Sequence, residues 1–147
     1  MLSQKETKLL NALRSNARFT LKELSTATKL PISTVYEKIK RYEKNFIKRH
    51  STILDFQKLG YGFRASYLLR THKDSKEACK AFLQGCSQVN TLLVINNGYD
   101  FFVDVVFKNL IELQTFNETL EQYNIEEKKE FFVIEDAKTE GFLARCE

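Results

Sequence analysis

Apolar residues in the first third of the chain recur at helical spacing, and three helices are predicted from them. Ser3 and Glu6 have the spacing of a capping box, and Leu9, Leu10 and Leu13 follow as an apolar stripe, which predicts a helix to about Ser15. Thr20 and Glu23 repeat that spacing and open a second helix, which Pro31 is expected to close. From Ser33 onward Val35, Ile39 and Tyr42 define one buried face. Ser33, Thr34, Glu37, Lys40 and Arg41 lie on the opposite side of the wheel. Two short helices meeting at a tight turn, the second basic and half-buried, fit a helix-turn-helix that enters a DNA groove. Periodicity alone fits an ordinary helical hairpin with a solvated charged face equally well.

Beyond these helices the pattern changes. Between Phe46 and Leu54 the branched residues Ile47, Thr52 and Ile53 flank Lys48, Arg49 and His50, which predicts a small β-hairpin, or wing, whose basic residues rest on phosphates. The stretch ILDFQKLGYG, with glycines at 60 and 62, interrupts the periodicity and reads as a hinge. The expected division is therefore a winged helix-turn-helix over 1–54, a linker over 55–62 and a second domain over 63–147.

In that second domain the alternation of Phe63–Arg70 predicts a strand. Ala78, Phe82 and Cys86 then place a helix over Ser75–Gln88, and Thr91–Ile95 forms another strand. Asn97 and Gly98 make a turn before a third strand, Phe101–Phe107. Leu110, Leu113, Phe116, Leu120 and Tyr123 describe an amphipathic helix, and Phe131–Ile134 is the expected last strand. The order βαββαβ is that of a ferredoxin-like domain, so the fold class is α+β. Its helices cover one face of the sheet. The other face is expected to be apolar and to be covered by a second copy of the chain, giving a dimer.

Charge supports two modules with different partners. Residues 1–50 hold 12 Lys or Arg against 4 Asp or Glu, a net of +8, whereas residues 51–147 hold 11 against 15, a net of −4. A basic module joined to an acidic one is the pattern of a protein whose first part meets nucleic-acid phosphates. The 43% hydrophobic and 12% aromatic content supports folded cores in both. No apolar run reaches the roughly 18 residues of a membrane helix and the start MLSQKETK lacks a signal-peptide core, so a cytoplasmic protein without membrane contact is expected.

Cys79, Cys86 and Cys146 form no metal-ligand pattern with one another or with His50 and His72, so neither a metal nor another cofactor is expected. Cys79 and Cys86 stand seven residues apart on the predicted helix, too far for a bridge, and read as small core residues. The histidines are dispersed, no cysteine has a basic neighbour in sequence and no phosphate loop is present. Catalysis is not expected.

Four segments in order carry a resemblance to a known family. NARFTLKELS, LPISTVYEKIKRYEKNFI, IKRHSTILDFQKLGYGF and NNGYDFFVDVVF resemble the second helix, the turn and recognition helix, the wing and linker, and the central hairpin of Lrp/AsnC (feast/famine) transcriptional regulators. The resemblance implies a DNA-binding domain followed by a ligand-sensing dimerisation domain, assembly as dimers or multiples of dimers, and tuning by an amino acid or a related metabolite. It places Ser33, Thr34, Lys38 and Arg41 toward double-stranded DNA. Glu37 departs from the basic residue common in relatives, and a carboxylate there repels phosphate or accepts a hydrogen bond from cytosine. Asn45 similarly stands near a usual glycine.

The resemblance further implies an effector site around Asn97, Gly98, Tyr99 and Asp100, in which Asn97 occupies a usual glycine position. The same four residues also suit a simple hairpin end. The function expected from these features is sequence-specific, amino-acid-tuned transcriptional regulation. A nonspecific architectural protein that coats DNA is the alternative.

Overall fold

A computed structural model describes residues 2–144 of the chain. It divides into two compact units. One takes the chain up to Ile53 together with the segment from Ala137 onward, and the other is Leu54–Asp136. The expected second domain therefore gives up its C-terminal end. Past residue 136 there is no apolar period to hold the chain to a sheet, and polar contacts hold it instead: Arg14 Nη2 donates to the Glu140 carbonyl at 3.1 Å and to its carboxylate at 2.7 Å. Cys146 lies outside the described residues.

The first unit is built on α1 (Gln4–Ser15), α2 (Leu21–Thr28) and α3 (Ile32–Asn45). Both expected capping boxes form. The Glu6 N–H donates to Ser3 Oγ at 3.3 Å while the Ser3 N–H donates to Glu6 Oε2 at 2.9 Å, and Thr20 and Glu23 repeat the exchange. Leu9, Ala12, Leu24, Val35 and Tyr42 form the buried core, with Leu10, Leu13, Phe19, Leu30, Ile39 and Ile47 around it. Each fully buried large apolar side chain contributes about 1.5–3 kcal/mol, so this small core leans on its caps as well.

Pro31 does not close α2. That helix ends at Lys29, whose φ of 54° is left-handed, and Pro31 occupies the N-cap of α3 with φ −56°. A proline ring presets the angle a helix start needs, whereas a left-handed lysine costs free energy that glycine avoids. Replacing Lys29 with glycine is expected to stabilise the first unit by about 1 kcal/mol, read as a higher denaturant midpoint at an unchanged m-value.

Phe46–Leu54 does not form the expected hairpin. It leaves α3 through a turn and carries no strand within the chain. The segment lacks a glycine or Asn-Gly pair for a tight turn, and two short strands by themselves are marginal in water.

The second unit is a four-stranded antiparallel sheet in the order β2-β3-β1-β4, with β1 (Phe63–Thr71), β2 (Val89–Val94), β3 (Phe101–Phe107) and β4 (Ile125–Phe132). The helices α4 (Lys76–Gly85, after a 3₁₀ turn at Lys73–Ser75) and α5 (Leu110–Glu121) complete the ferredoxin-like order. Alternation along the central strands sends Ala65, Tyr67 and Leu69, with Phe101, Val103, Val105 and Phe107, into a core closed by Cys79, Leu83, Phe116 and Leu120. Burial pushes the Cys79 thiol up to about 11, so it packs as a neutral core group. Cys79 and Cys86 are both free thiols.

Two expectations for the sheet change. The last strand starts six residues before the expected Phe131, because the wholly charged run EEKKE hides an edge strand, a composition that also discourages wrong pairing. The open face is also not uniformly apolar. Leu68, Phe102, Leu93 and Phe131 share it with Asp104, which is only 3% exposed. Arg64 Nε and Nη2 donate to the two Asp104 oxygens at 2.8 and 3.1 Å, and Asn90 Nδ2 donates to Oδ2 at 2.8 Å. Arg64 Nη1 also reaches Asp136 at 2.7 Å. These partners allow a carboxylate to be buried there.

Candidate nucleic-acid interface

The register of α3 decides which side chains are offered outward. Val35 and Tyr42 are fully buried and Ile39 packs beside them, so the residues between them point away from the core. Ser33, Thr34, Glu37, Lys38 and Arg41 line one concave patch of about 490 Å³. Five of the residues expected to meet DNA are thus brought together. Pro31 gives α3 no side-chain cap, so its first backbone N–H groups lie beside Ser33 at the positive end of the helix.

The outward residues differ in how they are held. Lys40 lies over the Tyr36 ring, with Nζ 4.6 Å from the centroid, and the Tyr36 hydroxyl raises its pKa as the larger of the causes. Glu37 is exposed. Arg41 has a side chain 55% exposed, but Lys38 retains only 23% because its ammonium turns to Glu6 Oε1 at 3.1 Å. Arg41 Nη2 donates to the same oxygen. Sequence reasoning assigned Glu6 to a helix cap alone and missed this contact. Its carboxyl is held down to about 2, first by the Ser3 backbone N–H and then by the Lys38 ammonium.

Lys48 and Arg49 are exposed on the extended segment after α3, and His50 Nε2 lies 3.1 Å from Glu43 Oε1. They are not gathered with the α3 patch. Asn45 is the last residue of α3 and donates through Nδ2 to the Arg41 carbonyl at 2.9 Å, so it serves as a helix-end residue without a left-handed conformation.

In the second unit, Asn97 and Gly98 adopt φ of 70° and 96° and make the expected turn between β2 and β3. Both are exposed. Asp100 instead turns toward the sheet end, where its Oδ2 accepts the Thr71 N–H at 2.9 Å and its Oδ1 meets Lys76 Nζ at 2.6 Å. Burial pushes its pKa up, but the Lys76 and Thr71 hydrogen bonds outweigh it and leave the carboxyl below its ordinary value. Tyr99 donates to Glu127 Oε1 at 2.5 Å and lies under Lys129 Nζ, 5.4 Å from the ring centroid. Glu127 in turn meets Arg70 Nη2 at 3.1 Å. The turn and its flank are therefore tied into β1, β4 and α4.

The chain thus pairs a three-helix unit, whose third helix is buried on one face only, with a ferredoxin-like unit. Residues 2–45 match the family described as winged helix-turn-helix DNA-binding. The HTH-type transcriptional regulator FL11 of Pyrococcus horikoshii is 27% identical over 116 residues, covering 78% of this chain and 77% of FL11. Among solved structures, a transcriptional regulator of Neisseria meningitidis in complex with L-Met superposes with a TM-score of 0.86 at 20% identity, over 95% of this chain and 94% of the other. LrpC of B. subtilis gives 0.85 at 17% identity, over 95% and 99%, and AsnC of E. coli gives 0.81 at 17%, over 95% and 96%. The chain has the fold of the Lrp/AsnC regulators. The fold that the resemblance implies is the one observed, apart from the wing hairpin over Phe46–Leu54.

Proposed function

We propose that this chain is a sequence-specific DNA-binding transcriptional regulator of the Lrp/AsnC type, acting in the cytoplasm as a dimer or a multiple of dimers. The observation that carries the proposal is the α3 patch. Hydroxyl, carboxylate and guanidinium groups at Ser33, Thr34, Glu37 and Arg41 share one outward surface within the stretch that matches DNA-binding domains. Donors and acceptors on one exposed helix face are what a major groove reads, and Lys48 and Arg49 supply phosphate contacts that anchor without reading. Two copies present two such helices to half-sites about one helical turn apart. Leu68, Phe102, Leu93 and Phe131 on the open sheet face supply apolar area for that pairing.

In the same proposal an amino acid or related metabolite tunes assembly through the turn at Asn97, Gly98, Tyr99 and Asp100. A relative of the same fold was solved with L-Met, which makes amino acids the first ligands to try. Such a ligand alters DNA affinity only to the extent that it prefers one assembly over another.

Selection of genomic fragments by the purified protein at about 150 mM salt, followed by sequencing, is expected to recover a short inverted repeat. Specific binding should exceed nonspecific binding by about 10³-fold or more. Uniform recovery with a ratio near one would favour the alternative of a nonspecific DNA coat, for which the net +8 of the first 50 residues suffices.

A further inference from the structure

We infer that Glu6 is a positioning residue of the DNA interface: it holds Arg41 in place to meet a base edge and withholds the charges of Arg41 and Lys38 from phosphates. The inference rests on the proposal that α3 reads DNA.

The two oxygens of one carboxylate have separate tasks. Oε2 accepts the Ser3 N–H at 2.9 Å and the Ser3 hydroxyl at 3.0 Å, which anchors the carboxylate to the start of α1. Oε1 accepts from Lys38 Nζ at 3.1 Å and from Arg41 Nη2. The Glu6 side chain is 14% exposed, so little water competes for either oxygen. Tyr42 backs the arrangement from the core side. Its ring centroid lies 5.7 Å from the Arg41 guanidinium carbon, and its hydroxyl is buried without a hydrogen-bond partner among the described residues.

Arginine has five N–H donors in a planar fork, and Glu6 engages Nη2 alone. The remaining donors still suffice for the two acceptors on a guanine edge. Lys38 is different. Its ammonium is largely covered and turned to Glu6, so it acts mainly by fixing the carboxylate. A phosphate must pull Arg41 away from Glu6 to bind it fully. A base edge reached along the existing fork need not. The contact thus penalises nonspecific binding more than specific binding, which is one route to discrimination.

The test uses full-length wild type, Glu6→Gln and Thr20→Ala, titrated by fluorescence anisotropy against a selected operator duplex and a scrambled duplex between about 50 and 200 mM salt. Glutamine retains an oxygen for the cap but removes the charge. Glu6→Gln is expected to bind scrambled DNA about 3- to 10-fold more tightly, to steepen the slope of log K against log salt by about one, and to lower the specific-to-nonspecific ratio about tenfold. Thr20→Ala, which removes the equivalent cap of α2 and touches neither Glu6 nor Arg41, should lower the melting temperature and leave slope and ratio at their wild-type values.

Wild-type slope and ratio in Glu6→Gln, with only its melting temperature changed, would overturn the inference by reducing Glu6 to a helix brace. If Glu6→Gln does not fold, Glu6→Asp withdraws the carboxylate by one methylene, keeps a capping acid and should move slope and ratio in the same directions. An absence of preference in the wild type would overturn the reading of α3 itself, a failure separate from that of Glu6.

Discussion

Arg41→Ala is expected to reduce affinity for the selected operator by about 5- to 150-fold, corresponding to about 1–3 kcal/mol for one good side-chain contact to a base. The expectation rests on where the residue lies. Arg41 is on the exposed face of α3 with a side chain 55% exposed, and it lines the same patch as Ser33, Thr34 and Glu37. Its loss leaves Glu6 still paired with Lys38, so the first unit keeps its brace and the effect on folding should be small. Anisotropy on an operator set carrying single base-pair changes separates the two modes of contact. A base contact predicts that one position loses its preference. A phosphate contact predicts an equal loss on operator and scrambled DNA, with the salt slope shallower by about one. Lys40→Ala, which removes the cation over Tyr36, is the surface control and should cost less.

The largest effect on stability is expected from Phe116→Ala. Phe116 is 4% exposed and its ring meets Tyr67, Phe82 and Phe107 at centroid distances of 5.7, 6.2 and 5.5 Å. It is the point at which α5 is pinned to β1, β3 and α4. Removing a buried aromatic ring costs about 3–5 kcal/mol through lost transfer free energy and the cavity left behind. Domains of this size have total stabilities of only about 5–15 kcal/mol. The melting temperature of the second unit should therefore fall on the order of 20 °C by calorimetry. A fall below about 5 °C would mean that Phe82 and Tyr123, already stacked at 4.9 Å, move in to fill the space.

The two units were legible in the sequence to different depths. Capping-box spacing located the starts of α1 and α2 because a cap is local chemistry, complete within four residues. The Asn97–Gly98 turn and the short apolar run after it located β3 at its observed bounds, since a central strand buried on both faces reads as a nearly continuous apolar segment. Local rules failed where partners are distant. Pro31 suits both the end of one helix and the start of the next, and the left-handed Lys29 decides between them. At β4 the pairing with β1 extends through EEKKE, a stretch whose charges conceal the strand. The hairpin expected over Phe46–Leu54 has the composition of strands but no turn residue to fold it.

The same division applies to the site. By itself the sequence determined the helical period of α3, the outward placement of Ser33, Thr34, Glu37 and Arg41, the basic charge of the first module and the βαββαβ order, because each depends on residues near one another in the chain. Only the tertiary structure decided that Glu6 reaches across 32 and 35 residues to Lys38 and Arg41. It also decided that Arg64 is committed to Asp104 and Asp136, 40 and 72 residues away, and that Asp100 secures the end of β1. Charged side chains can pair with any opposite charge that folding brings near. Their partners are therefore set by the packing of the elements that carry them, which the order of residues does not display.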